Sequence, residues 1–412
     1  MIPQTLRSLL LACVTVVVLA APAWAQGTVK IAYIDPLSGG AASAGILGQK
    51  HFNYFVDKIN AAGGVNGQKL EVVAFDNKVN PQETLIILKK VFDEGIRYVA
   101  QGNGSLVAHA ITDAVLKYNE RNPGKEVLYL NYAAVDPALT NEKCNFWHFR
   151  FDADADMKMA ALTDVIARDK KVQRVYLINQ DYSFGKAVAA AANKMLAESR
   201  PDIKIVGDEL HPLQKVNDFS PYVAKIKAAG ADTVITGNWS NDMVLLIKAG
   251  KDAGLKVNWE TYYGGSPGAV TAIGEAGVDA LKQVSEWHRN AAPELDATVA
   301  AFSKRYPGKE NEYAYWRAKT MWDMFAAAAK KAQSNDPVKV ARAMEGMKMS
   351  TSLGEVEMRA DNHQLLQPLF VSTLARNVKY DSEGSGLGWK TDAKVEGKAT
   401  ALPTTCKMER PK

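Results

Sequence analysis

The sequence predicts an α/β protein of two doubly wound, parallel-sheet lobes, and three observations lead there. Short β-branched and aromatic runs alternate with amphipathic helical stretches through brief connections, the pattern of right-handed βαβ units and a sheet covered on both faces. That rhythm runs from Val29 to Asn131 and starts again after Arg150. At 412 residues, the chain also exceeds the size at which one core keeps growing.

The elements follow in order. Residues 29–34 read as a strand, with a loop rich in Gly, Ala and Ser from Asp35 to Gly45. Phe52, Phe55, Val56 and Ile59 then mark one face of a helix, ended at Gly63-Gly64, where glycine suits a left-handed cap. Strand 70–75, a helix through Leu85, Leu88 and Phe92, strand 97–100, helix 107–118 and strand 127–131 complete the first half. The second half reads as helix 155–168, strand 174–179, helix 184–199 and strand 203–210. Ser220-Pro221 starts the next helix, with a hydroxyl cap and proline at the first helical position. Strand 233–237, helix 241–251 and strand 259–263 close the set. Beyond it, helices 293–306, 313–332 and 337–345 and strand 369–374 are less regular, and the turn-rich run 381–388 is expected to be exposed.

Arg7 is the only charge among the first 25 residues, the stretch 9–21 is almost wholly apolar, and Ala23-Trp24-Ala25 follows. Basic start, apolar run and A-x-A read as an export signal cleaved after Ala25, which places the mature chain in the periplasm. The run is shorter than the roughly 20 residues a membrane-spanning helix needs. Leu10-Leu11-Ala12-Cys13 loosely resembles a lipoprotein box, but the apolar run continues past it, so Cys13 leaves with the peptide. A net charge of +5, with the basic residues scattered, gives no reason to expect a nucleic-acid partner. Cys144 and Cys406 remain, and an even count in an oxidising compartment invites a bridge that would staple the tail to the first lobe; two buried free thiols are the alternative. The six histidines include no pair at ligand spacing and there is no C-x-x-C, so no metal or cofactor is expected, and each histidine reads as a surface or hinge group.

The stretch Ile59-Asn60-Ala61-Ala62-Gly63-Gly64-Val65-Asn66-Gly67-Gln68-Lys69-Leu70 resembles the signature of the leucine/isoleucine/valine-binding protein family. Asp35-Pro36-Leu37-Ser38-Gly39, Asp76-Asn77, Gly102-Asn103-Gly104-Ser105, Asp136-Pro137-Ala138-Leu139-Thr140 and Asp181-Tyr182-Ser183-Phe184-Gly185 match in order. The resemblance spans nearly the whole mature chain and weakens in the C-terminal quarter. It implies a type I periplasmic-binding fold with a three-segment hinge, crossed near 149–152, 285–288 and 357–362. The division is then a signal at 1–25, lobe 1 at 26–150 and 287–358, lobe 2 at 151–286 and 359–385, and a tail at 386–412. It further implies a monomer that delivers a small carboxylate-bearing solute to the permease and ATPase subunits of an ABC importer, without catalysis.

A loop such as 102–105, between a strand and a helix, offers backbone N–H groups and a hydroxyl where the helix dipole favours a carboxylate. By the resemblance, Ser105 and Gly104 hold that carboxylate, Ala133 adds backbone groups, and Val135 stands where amino-acid binders commonly carry threonine. Their acidic anchor for an ammonium is missing from the aligned loop Gly264-Gly265-Ser266-Pro267-Gly268; Asp181, at the cleft rim, is the substitute, with Ser266 lining the site. Among Tyr132, Tyr182, Phe184, Trp239, Tyr262 and Tyr263, the alignment puts Phe184 and Trp239 at the cleft as walls for something flat. These departures favour an aromatic or apolar acid, or an amide, over leucine.

Two other functional classes bear on these residues. The loop 264–268 fits G-x-S-x-G, yet Pro267 lacks the N–H an oxyanion needs, and only His288 or His363 could complete a triad. A ligand-sensing partner of a membrane receptor would use the same fold, and nothing in the sequence separates it from an import subunit.

Overall fold

The computed structural model describes residues 27–411, so the export signal and its cleavage site lie outside the described residues. The first sheet joins β1 (Val29–Asp35), β2 (Leu70–Asp76), β3 (Tyr98–Gln101), β4 (Leu128–Asn131) and β5 (His148–Arg150) in the order β2-β1-β3-β4-β5, all parallel. Helices α1 (Ala42–Ala61), α2 (Pro81–Asp93) and α3 (Ser105–Arg121) make its crossovers. Strands β3 and β4 are buried along their whole length, as a sheet covered on both faces requires.

After α4 (Ala155–Ile166), the pattern repeats as β6 (Arg174–Gln180), α5 (Ser183–Ser199), β7 (Lys204–His211), α6 (Ser220–Ala228), β8 (Thr233–Thr236), α7 (Ser240–Asp252), β9 (Asn258–Thr261), α8 (Ala269–Ile273) and β10 (Leu281–Ser285). Then come α9 (Ala297–Arg305), α10 (Trp316–Ala332), α11 (Pro337–Met344), a small sheet of β11 (Lys348–Thr351), β12 (Gly354–Met358) and β13 (Leu365–Leu366), and finally β14 (Leu369–Ala375) and β15 (Gly388–Val395). The second large sheet has the order β15-β14-β10-β9-β8-β6-β7, antiparallel only where β14 meets β10 and β15. Local chemistry sets several helix starts: Asn80 accepts from Glu83 N with Pro81 beside it, and Asp154 accepts from Met157 N.

Helices α9–α11 follow the second set of strands but return to the first core, where Phe302, Trp322, Phe325 and Val340 pack with Tyr33, Phe52 and Tyr98. The chain therefore passes between lobes after β5, after β10 and between β12 and β14. The first and third passages lie side by side: Arg150 N donates to His363 O at 2.9 Å, and Gln364 Nε2 to Asp152 O at 2.8 Å.

Three regions depart from expectation. The helix foreseen over 293–306 begins only at Ala297, because Asp296 caps it by accepting from Thr298 N. In the turn-rich run 381–388, Ser382, Glu383 and Leu387 are buried rather than exposed. Within 386–412, foreseen as a tail, β15 forms the edge of the second sheet, whereas the bridge expected between Cys144 and Cys406 is present, with Cα atoms 5.7 Å apart. Of the histidines read as surface or hinge groups, His51, His148 and His211 are instead buried inside the fold, whereas His288 and His363 are buried at the hinge passages.

Candidate functional site

A cavity of about 130 Å³ lies where the C-terminal ends of both sheets' parallel strands face each other, the usual position for a ligand in open α/β sheets. The lobes touch beside it, with Ser240 Oγ donating to Gly40 O at 3.2 Å.

From the first lobe, the loop after β3 brings Gly102, Asn103, Gly104 and Ser105 to the wall. Gly104 has φ +97°, and a Cβ there would sit 2.8 Å from Val79 Cγ1, so only glycine fits this turn. Ser105 is the first residue of α3, and its hydroxyl does not cap the helix. Its Oγ accepts from Asp136 N at 3.2 Å, which leaves the hydroxyl proton to donate. Behind the loop, Asp35 Oδ1 accepts from Asn103 N at 2.8 Å and Oδ2 from the Tyr132 hydroxyl at 2.6 Å. Burial raises the Asp35 pKa to about 6, against the lowering by Tyr132, Asn103 and Gly102. Ala133 and Val135, after β4, complete this wall.

From the second lobe come Tyr182, Phe184, Trp239, Tyr262 and Tyr263, with Ser266 and Pro267. Trp239 Nε1 donates to the Tyr182 hydroxyl at 2.9 Å, and Tyr262 donates to Ala155 O at 2.6 Å, so these rings are fixed before any ligand arrives. Tyr132, the sixth aromatic foreseen there, is instead buried behind the 102–105 loop.

Of the residues singled out from the sequence, Gly104, Ser105, Ala133, Val135, Phe184, Trp239 and Ser266 all line the cavity. Asp181 does not; its side chain is 54% exposed and pairs with Lys186 at 3.1 Å. The expectation that it serves as a cleft counter-charge is thus corrected. The aligned loop itself lacks an acid, as read, but Glu286, Glu312 and Glu383 from other segments line the cavity. Glu383 reaches the very loop that lacked an acid, accepting from Gly268 N at 2.6 Å and Thr271 N at 2.7 Å. Lys158, Arg289, Lys309 and Arg317 are the cations that sequence reasoning missed. No sequence signal set Lys158 or Arg317 apart, because Asp156 shares the first turn of α4 and Lys319 that of α10. His288 bonds to Thr391 and His363 to Glu345, so neither is paired with Ser266.

The family model described as periplasmic binding protein matches residues 28–379. The chain belongs to the periplasmic binding protein family. It is 35% identical to Leu/Ile/Val-binding protein homolog 4 of Brucella melitensis over 97% of each chain. Among solved structures it is similar to the closed conformation of the leucine-, isoleucine-, valine-, threonine- and alanine-binding protein of Brucella ovis: TM-score 0.82, 34% identity, 93% of this chain and all of that one. The fold also matches a Rhodopseudomonas palustris BisB5 ABC-transporter solute-binding protein in complex with 3,4-dihydroxybenzoic acid, with TM-score 0.75 and 20% identity over 90% of this chain and 98% of that one.

Proposed function

We propose that this family member is the periplasmic receptor of an ABC importer, released by cleavage after Ala25, acting as a monomer and without catalysis. It traps a small carboxylate-bearing organic solute between its lobes and presents it to permease and ATPase subunits. The observation that carries this reading is the Ser105 hydroxyl, free of any capping bond at the α3 N-terminus and facing an aromatic-walled cavity. A hydroxyl and a helix N-terminus together suit a carboxylate, and Phe184 and Trp239 suit a flat or apolar body. Relatives whose names speak of branched-chain amino acids and of a hydroxylated benzoic acid support both branches of that class.

Glu286 favours a second reading within the class, because its carboxylate on the wall offers a partner to a ligand ammonium. Isothermal titration with leucine, valine, benzoate and 4-hydroxybenzoate separates the two. Binding of the benzoates alone assigns an aromatic acid; binding of leucine and valine alone assigns an amino acid through Glu286. In either case Ser105→Ala should weaken binding about tenfold or more, since a hydrogen bond to a charged group contributes about 1.5–3 kcal/mol. Unchanged affinity in that variant would reject Ser105 as the anchor.

A further inference from the structure

One part of the cavity wall is explained neither by the fold nor by the carboxylate anchor. Lys158 projects from the first turn of α4 in the second lobe, and Arg317 from the first turn of α10 in the first. Both line the cavity, and their side chains are 1% and 7% exposed. They converge on a single oxygen, Asp152 Oδ2, at 3.0 and 3.5 Å. Each lies over an aromatic face that also lines the cavity, Lys158 over Tyr263 at 4.8 Å and Arg317 over Tyr315 at 4.7 Å. Glu286 completes the group by accepting from Arg317 Nη1 at 2.6 Å.

This arrangement is costly. Taking each charge out of water costs several kcal/mol even after relaxation, and the positive end of a helix dipole adds to that. Nor are the donors used up. Of the three hydrogens on the Lys158 ammonium, one is accepted by Asp152, and the others have no hydrogen-bond acceptor among the described residues. Arg317 Nε is buried and, beyond its 3.5 Å ion pair to Asp152, makes no hydrogen bond among the described residues. Unused donors on two buried cations, both facing one cavity, are what a ligand acceptor would satisfy. The charges decide its kind. Lys158 and Arg317 are balanced by Asp152 and Glu286, so a further full negative charge would leave the cluster net anionic, whereas a neutral oxygen would not.

We infer that Lys158 and Arg317 form a second ligand subsite, which takes a neutral acceptor oxygen (hydroxyl, ketone or amide) that the solute carries away from its carboxylate. The subsite rests on the reading of this cavity as a solute site, but it is separable from the Ser105 anchor. It makes the receptor selective for bifunctional solutes over plain acids of the same shape.

The test uses ligand pairs that differ by one acceptor: benzoate against 3- and 4-hydroxybenzoate, and pentanoate against 4-oxopentanoate. Benzamide and phenol are added as acceptors without a carboxylate. Titration of the full mature chain should show at least one bifunctional acid binding tenfold or more tighter than its plain partner. Lys158→Met should erase that difference, the bifunctional acid losing more affinity than its plain partner. Lys158→Gln, which keeps a donor, should restore part of it, and melting curves establish that both variants are folded. Equal affinities within every pair, or an equal loss for plain and bifunctional ligands in Lys158→Met, would overturn the subsite. Should no acid bind, the carboxylate reading fails on its own. Benzamide or phenol binding that Lys158→Met abolishes would then still sustain the subsite, and no binding of either would overturn it too.

Discussion

Asp35 and Asp136 lie in the same lobe and titrate in opposite directions. Asp35 is fully buried among Tyr33, Tyr129 and Tyr132 with no cation beside it, so burial outweighs its hydrogen bonds and its pKa is about 6. Burial works against Asp136 as well, but bonds from His109, Ser183 and Ala138 N hold it down to about 2. The signs follow by linkage. Folded Asp35 keeps a proton that the unfolded chain releases near pH 4, so its contribution to stability is present below that pH and is lost as pH rises to about 6. The loss is roughly 3 kcal/mol. Asp136 does the reverse, and its contribution is lost as pH falls from about 4 towards 2. Urea midpoints measured from pH 4 to 7 should therefore fall less steeply with pH in Asp35→Asn than in the parent chain; identical slopes would remove Asp35 as the cause. The same scale explains what was legible in the site. Ser105, Phe184 and Trp239 follow strand ends directly, so a strand–loop–helix pattern is enough to find them. Lys158, Glu286, Arg317 and Glu383 look like solvated charges until tertiary packing turns them inward. Asp181 misled for the converse reason: three residues from the inward Phe184, it turns out to meet Lys186.

At the scale of elements, both lobes use one construction where a strand runs into a helix. The first turn of the helix lies against the strand-end backbone, and only a glycine allows it. A Cβ on Gly45 would fall 1.8 Å from Pro36 O, and one on Gly185 would fall 1.9 Å from Gln180 O. Neither contact relaxes by a side-chain rotation, since the obstructing atom is main chain. Gly45→Ala and Gly185→Ala should each cost about 1–3 kcal/mol or more. Because Ala44 and Phe184 next to them line the cavity, both should also weaken ligand binding. A thermal midpoint and affinity unchanged in either variant would contradict the close approach. Strand–helix alternation made most of these elements readable, since burial on both faces leaves uninterrupted apolar runs such as 128–130. It failed at β15, where Lys390, Asp392 and Lys394 alternate with Thr391, Ala393 and Val395 after a glycine-rich turn. An edge strand with one wet face carries a weaker pattern than a central one. The two-residue β13 and three-residue β5 are too short for any period to show.

On the scale of the whole molecule, the lobes are joined by more than the three hinge passages. After β15, on the second sheet, the chain returns to the first lobe and is locked there by Cys144–Cys406, a bridge spanning 262 residues of sequence. Leu402 packs on the second core, Arg359 donates to its carbonyl at 2.6 Å, and Thr404 Oγ1 donates to Asn141 Oδ1 at 2.9 Å. This strap runs beside the hinge, so opening the lobes must either stretch it or break these bonds. Two consequences follow for the variant in which both cysteines are serine. Losing the cross-link frees the unfolded chain, and the usual cost of removing such a bond is about 2–5 kcal/mol, read as a lower urea midpoint. Freeing the strap also removes one restraint on the closed arrangement, so the open state gains population. Ligand bound between the lobes should then dissociate several-fold faster, while association, which requires the open form, should not slow. Stopped-flow displacement measures both rates, and reductant added to the parent protein should reproduce the change. A lower midpoint with an unaltered dissociation rate would make the bridge a staple of the first lobe alone. A faster rate would show that the tail helps to set how long the solute stays.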